Sequence, residues 1–219
     1  MKNHILVFDF DGTIADTFHH TMRISNQLSY EFNFNQIEPH EINFLKDKTS
    51  VEIIQHLKVP FMKIPYIVAR AKSELHKNIH AIELIDGLKE TLLDLKCLGY
   101  GLGILSSNSL NNVTQFLSGH AIECFDFIQS SSRIWGKNIG LNKMIQDQKW
   151  NPSQIIYIGD ETRDIEAAQK SGIKVVAVTW GYNSAKVLAS YSPDYLVHSP
   201  VELKKLFERG LKTLGRFNN

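Results

Sequence analysis

The chain has 219 residues, with 24 Lys and Arg against 23 Asp and Glu and a formal net charge of +1; with no acidic or basic block, this argues against nucleic acid or an anionic membrane as principal partner. Hydrophobic residues at 43% and charged residues at 21% describe a globular chain able to bury a sizeable core, as one domain with an insertion or as two small domains. Cys97 and Cys124 match no metal or redox spacing and are expected to be reduced, buried thiols; no signal peptide or bilayer-length apolar run is visible, so a soluble, cytoplasmic protein is expected.

The first element is His4-Ile5-Leu6-Val7-Phe8, an apolar run that reads as a strand buried on both faces. It stops at Asp9, and Asp11 follows two positions later. Gly12 permits a tight turn, and Thr13 to Thr17 offer caps for a helix starting near Ile14. That helix carries Ile14, Phe18, Met22 and Leu28 on one face to about Tyr30. Beyond a turn at Pro39, helical spacing returns through Ile42, Leu45, Val51, Ile54 and Leu57. Pro60 and Pro65 are expected to break it, and a further helix runs through Ile67, Ala71 and Leu75. No run of strands appears here. Residues 17–82 are therefore read as an all-helical insertion after the first strand, with 1–16 and 83–219 forming an α/β core. Long insertions at a strand's C-terminal end commonly shape a site, so a lid over the Asp9 edge is expected.

Asp86-Gly87 opens a helix through Leu88, Leu92 and Leu95 that Gly99 closes. The strand Tyr100 to Leu105 runs into Ser106-Ser107-Asn108, and a helix follows with Val113 and Phe116. Phe125 to Ile128 reads as a short strand, and Gly136-Lys137 leads a helix through Leu141 and Met144. Ile155 to Gly159 is a third clear strand, ending at Asp160-Glu161-Thr162-Arg163-Asp164 and followed by a helix. Strand Val175 to Val178, a short helix near Ala185, a short strand Tyr195 to Val197 and a terminal helix from Val201 complete the chain. Strand and helix alternate, which predicts a doubly wound, mostly parallel sheet with helices on both faces.

Ligands of an open parallel sheet bind outside the carboxyl ends of its strands. The three polar clusters, Asp9/Asp11, Ser106/Ser107/Asn108 and Asp160/Asp164, fall at such ends, and right-handed crossovers carry all three to one edge. Two carboxylates at the end of a buried strand repel each other, and a divalent cation makes them tolerable. Hard oxygens suit Mg²⁺, with Asp9, the backbone carbonyl of Asp11 and Asp160 as natural ligands. Asp164, one helical turn after Asp160, faces the same way as a supporting carboxylate. A serine hydroxyl, Ser106 or Ser107, and the backbone N–H groups after it suit phosphate oxygens; side chains alternate along a strand, so one of the two points at the ligand.

Asp9-Phe10-Asp11-Gly12-Thr13 after an apolar strand resembles the first motif of the haloacid dehalogenase superfamily, in its phosphatase branch. Ser106 after Gly-Ile-Leu resembles the second motif, and Gly159 to Asp164 the fourth. Together these cover the chain apart from the helical insertion, which matches in position only. The resemblance implies a Rossmann-like core with a small helical cap, and a Mg²⁺-dependent phosphatase of the phosphoglycolate phosphatase type acting on a small phosphorylated metabolite. It implies that Asp9 is the nucleophile forming an aspartyl-phosphate and that Asp11 is the acid and later the base. It places phosphate contacts at Gly12, Thr13, Ser106, Ser107, Asn108 and Lys137, and metal ligation at Asp9, Asp11, Asp160 and Asp164. The third motif departs from the family pattern: Gly136-Lys137-Asn138 lacks the proline many relatives carry after the lysine. Lys143 is the rival, and Lys137 is preferred because it precedes the helix at the sheet edge.

A phosphomutase shares these motifs and stays open. A dehalogenase lacks the second aspartate. A signalling receiver domain has a comparable acidic set, but its phosphorylated aspartate ends the third strand and it has no insertion after the first. A non-catalytic binding protein is expected to have lost one of Asp9, Asp11 and Asp160, and all three stand here. The nine histidines form no ligand pattern; His19 and His20 are expected at the surface or in helix packing, and Trp135, Trp150 and Trp180 in packing. Gly101 and Gly103 lie inside a strand, with no third glycine opening a helix, and make no dinucleotide fingerprint.

Overall fold

A computed structural model describes residues 4–130 and 136–209 of the chain; Trp135 lies outside the described residues. Six strands form one parallel sheet: β1 (Ile5–Phe8), β2 (Gly101–Ser106), β3 (Phe127–Ser130), β4 (Ile155–Gly159), β5 (Lys174–Val178) and β6 (Tyr195–Val197), in the order β3-β2-β1-β4-β5-β6. β1 lies in the middle, with Phe8 beside Ile104 of β2 and beside Ile158 of β4. The chain winds one way from β1 to β3 and then crosses β1 to continue the other way through β4. The crevice of a doubly wound sheet opens at such a reversal, here between the carboxyl ends of β1 and β4.

The strands are apolar throughout because both faces are covered. Successive side chains alternate between two cores. Leu6, Phe8, Ile156, Ile158, Val176 and Val178 meet helices α5 (Leu88–Cys97), α6 (Leu110–Gly119) and α10 (Pro200–Glu208). Val7, Ile155, Tyr157, Val175 and Ala177 meet α7 (Lys137–Asp147), α8 (Thr162–Lys170) and α9 (Ala185–Ser190). Between β1 and α5 stand α1 (Phe18–Phe32), α2 (Ile42–Lys46), α3 (Ser50–His56) and α4 (Ile64–Lys77), with no strand among them.

Four local expectations are corrected. The first helix starts at Phe18 rather than Ile14. Residues 10–15 instead fold into a turn in which the Ile14 and Ala15 N–H groups both donate to Phe10 O, and Thr17 makes no side-chain cap. Pro65 does not break a helix but sits in the first turn of α4, where a missing N–H costs nothing. β3 begins at Phe127, two residues late, because Asp126 turns its carboxylate back onto the Leu102 N–H at 2.9 Å. Cys97 is exposed at the end of α5, and only Cys124 is half-buried, both as free thiols.

Gly101 and Gly103 have a packing reason. A Cβ on Gly103 would lie 1.9 Å from Phe127 Cζ, whereas one on Gly101 would meet nothing closer than 3.4 Å. Phe127 in turn packs on Trp150, ring centres 5.1 Å apart. Gly103→Ala is therefore expected to cost about 1–3 kcal/mol through overpacking, while Gly101→Ala stays within about 0.5 kcal/mol or gains slightly. Urea denaturation of both variants measures the difference.

Candidate active site

Asp9 is the first residue beyond β1. Its N–H donates to Ile158 O at 2.8 Å, which carries the β1–β4 ladder one step past the strand and fixes the carboxylate at the mouth of the crevice. Asp160 follows β4 in the same way, and Asp164 lies in the first turn of α8. One carboxylate oxygen from each of Asp9, Asp160 and Asp164 lies within 4.8 Å of the others, and all three residues are buried.

Lys137 opens α7 behind Gly136 and bridges two of these carboxylates, with Nζ 2.7 Å from Asp9 Oδ2 and 2.5 Å from Asp164 Oδ1. Lys143 is exposed on the same helix. Asp164 also accepts from the Glu161 N–H at 3.1 Å, closing the N-terminus of α8. Asp160 accepts from Thr13 Oγ1 at 2.6 Å and from the Tyr182 N–H at 2.7 Å. Thr13 is fully buried, so its hydroxyl serves Asp160. Gly12 has φ +78°, and a Cβ there would lie 2.3 Å from Asp160 Oδ2; both the turn and the close approach require glycine.

Burial dominates the electrostatics. It pushes Asp9 up to about 7, with Lys137 opposing and Asp164 adding to the rise. It likewise raises Asp160, helped by Glu161, Asp164 and Asp9. Burial pulls Lys137 down, but Asp164 and Asp9 outweigh it and leave the ammonium held above its ordinary value. Arg163 behaves alike: desolvation lowers it, Glu161 and Asp164 raise it more, and its guanidinium pairs with Glu161. Four carboxylates, Asp9, Asp160, Glu161 and Asp164, thus face two cations, Lys137 and Arg163. The buried oxygen-only donor set of the three aspartates suits a hard divalent ion, which would offset their mutual repulsion.

Asp11 stands apart from this cluster. Asn108 Nδ2 donates to both of its oxygens, 3.2 Å each, while burial raises its pKa against the lowering by Asn108 and Arg163. Ser106, buried at the end of β2, accepts from the Asn108 N–H at 2.9 Å, and Ser107 is half-buried beside it. Asp11, Ser107 and Asn108 line a cavity of about 360 Å³ that runs up between the inserted helices.

Several residues at this edge escape a reading by motif. Gly181 and Tyr182 wrap Asp160, and a Cβ on Gly181 would lie 2.1 Å from Asp160 Oδ2. The Tyr182 hydroxyl lies 3.0 Å from Thr17 Oγ1 and 2.7 Å from Thr21 Oγ1 of α1. Asn183 donates to Lys46 O and Lys48 O, and Ser50 of α3 donates to Glu161 at 3.1 Å. Asn112 of α6 donates to Lys72 O of α4 and to Asn108 Oδ1, and His76 Nδ1 lies 2.7 Å from its own Oδ1. Gly181, Asn183 and Ser184 mark 179–184 as a loop, but nothing there signals the partner. His19 is exposed, and half-buried His20 lies beside Arg23. Trp150 packs on Phe127, and Trp180 donates to Thr13 O at 3.2 Å. Among the described residues no helix is long and apolar enough to cross a membrane.

A family model described as haloacid dehalogenase-like hydrolase matches residues 6–178. A phosphoglycolate phosphatase from Synechococcus elongatus is 32% identical over 199 residues, 90% of this chain and 94% of its own. The pyrophosphatase PpaX of Bacillus mycoides is 25% identical, covering 95% of this chain and 99% of its own. The crystal structure of a predicted phosphatase from Clostridium acetobutylicum superposes with a TM-score of 0.81 at 21% identity, over 94% of this chain and 98% of that one, a likeness of fold.

Removing the bridging ammonium leaves two buried carboxylates without their cation, a loss of about 3–5 kcal/mol. Asp9, raised from 3.8 to about 7, holds its proton more tightly when folded. Its contribution therefore favours the fold below pH about 4 and is lost as pH rises towards 7. Lys137→Met is accordingly expected to be more damaging at pH 8, where Asp9 is ionised, than at pH 6, while Lys143→Met stays within about 0.5 kcal/mol at either. Urea midpoints at the two pH values measure this.

Proposed function

The chain belongs to the haloacid dehalogenase-like hydrolase family, and from that premise we propose that it is a Mg²⁺-dependent phosphatase of small phosphomonoesters. The observation that carries this reading is the Lys137 bridge between Asp9 and Asp164 at the β1–β4 crevice, with Asp11 held apart by Asn108 and turned to a cavity. Asp9, Asp160 and Asp164, with the Asp11 carbonyl, would hold the Mg²⁺, which when bound neutralises the phosphate and draws charge from the phosphorus. Residues 17–82 act as the cap over this edge.

In the proposed reaction the Asp9 carboxylate attacks the phosphorus, forming an acyl phosphate as the ester P–O bond breaks. Asp11, whose burial favours the protonated form, gives its proton to the departing alkoxide. The resulting Asp11 carboxylate then takes a proton from the water that cleaves the aspartyl-phosphate, returning Asp9 and releasing inorganic phosphate. Lys137 opposes the burial-driven rise of Asp9, orients its carboxylate and would face the incoming phosphate. Ser106, Ser107 and Asn108, with Gly12, would form the remaining wall around the phosphoryl oxygens, while Thr13, expected there from the sequence, is buried and supports Asp160 instead. Phosphoglycolate is the first substrate to test, because the Synechococcus elongatus relative is a phosphoglycolate phosphatase. A phosphomutase would use the same acids, but would need the cap to hold a second phosphorylated group.

Phosphate release from a phosphomonoester panel, with Mg²⁺ and with chelator, tests the reading. Release is expected with Mg²⁺, to vanish with chelator and to be absent in Asp9→Asn, because an amide is no nucleophile; near-wild-type turnover by a folded Asp9→Asn chain overturns it. A second experiment separates the roles of Asp11. General acid catalysis supplies about 10²–10⁴-fold, yet p-nitrophenolate leaves without a proton. Asp11→Asn is therefore expected to release nitrophenol from p-nitrophenyl phosphate in a rapid burst approaching the chain concentration, then stall as phosphoenzyme. Alkyl phosphates should give no burst. Stopped-flow absorbance measures the burst, and rapid quench with radiolabelled phosphate measures the trapped intermediate.

A further inference from the structure

We infer that the leaving group served by this site is an apolar alcohol, whose hydrocarbon chain lies along α4 under the inserted helices. The inference rests on the phosphatase reading above and names its substrate class. The cavity at Asp11, about 360 Å³, falls among the sizes that hold whole small molecules. Its charged residues, Asp11, Lys72, Glu161 and Arg163, all belong to the end at the sheet edge. Beyond Lys72 the wall is mostly hydrocarbon, from Ile64, Ile67, Val68 and Ala71 of α4, from Ile54 of α3 and from Leu57 just past it, with Thr21, Ser25 and Ser50 among its few polar groups.

The spacing on α4 follows from helical geometry. Positions 64, 68 and 72 share one face, so Lys72 stands at the mouth, with Val68 one turn and Ile64 two turns deeper. Eight residues span about 12 Å, the reach of a medium-length alkyl chain whose phosphate sits at Asp9. Ile54, Ile67, Val68 and Ala71 are half-buried and line this cavity, with Ile67 and Ala71 also packing against the core. Protein interiors rarely leave such room between aliphatic walls.

A two-carbon acid such as glycolate would use only the mouth beside Lys72, leaving these walls wetted. A chain attached to the phosphate would cover them, gaining about 25 cal/mol for each Å² removed from water. A second cavity of about 170 Å³ continues past Ile53 and Leu57 towards Phe18, Met22 and Leu45, which leaves room for a branched chain. The reaction is unchanged: water and the ester give the free alcohol and inorganic phosphate.

The test is a series of ethyl, butyl, hexyl and octyl phosphates beside phosphoglycolate, assayed with Mg²⁺, and the matching alkylphosphonates titrated by calorimetry. Full burial of a methylene is worth about fourfold, so kcat/KM is expected to rise about two- to fourfold per methylene, and phosphonate Kd to fall in parallel. Val68→Asn should cut the octyl-to-ethyl ratio of kcat/KM about tenfold or more; Val68→Thr, nearly the same shape, should move it the same way if the amide variant fails to fold. Phosphonate affinity that climbs with chain length supports the inference even if no ester is hydrolysed, an outcome that would overturn the phosphatase reading alone. Phosphonate affinity flat in chain length overturns the inference, as does turnover of phosphoglycolate ahead of every alkyl ester with no rise along the series.

Discussion

The structure depends on holding like charges together where water is excluded. Asp9, Asp160 and Asp164 are all almost fully buried, and each ionised carboxylate costs several kcal/mol to bring there without compensation. The chain compensates in specific ways. Lys137 is shared between Asp9 and Asp164, Thr13 and the Tyr182 N–H satisfy Asp160, and the Glu161 N–H satisfies Asp164. Gly12 and Gly181 lack side chains because Asp160 occupies the space a Cβ would need. Even so, Asp9 and Asp160 keep a preference for their protons, so the compensation is incomplete. That residual demand for positive charge is what the site would offer a cation. The fold around it, with β1 central between β2 and β4, brings the contributing strand ends to one place.

What was legible in the sequence follows from the range of the forces involved. The apolar runs of β1, β4 and β5 announce themselves because a parallel sheet is covered on both faces, and alternation along each strand assigns its residues to two cores. Once the strands are known, topology carries Asp9, Ser106 and Asp160 to one edge without any knowledge of side-chain contacts. Thr13 shows where this stops. Its place before an apolar stretch reads as a helix cap, but its hydroxyl donates to Asp160, 147 positions away. Tyr182, Asn183 and Asn112 are equally silent, because each acts through partners that only the folded chain brings near. Pro65 misleads for a local reason: the same ring that ends a helix in its interior is well suited to its first turn.

The inserted helices are tied to the core by two kinds of contact, and the difference matters for the chemistry proposed. Around residues 46–50 the ties run to the loop after β5, where Asn183 and Ser184 bind the α2–α3 connection and Lys46 donates to Gly181 O. These contacts set where the insertion sits. The second set runs through α6. Asn112 is almost wholly buried, and its amide donates both to Lys72 O in α4 and to the Asn108 carbonyl oxygen that helps fix the orientation of the Asn108 amide. The other end of that amide grips both oxygens of Asp11. A shift of α4 therefore reaches the Asp11 carboxylate through two amide planes, neither of which can rotate without losing a buried hydrogen bond, worth about 1 kcal/mol net and more if the partner is left unpaired. In the reaction proposed above Asp11 first gives and then takes a proton, and such a connection would hold it in place for both steps. In the proposed reaction this chain of bonds would tie the orientation of that acid to α4, which lines the cavity beside it.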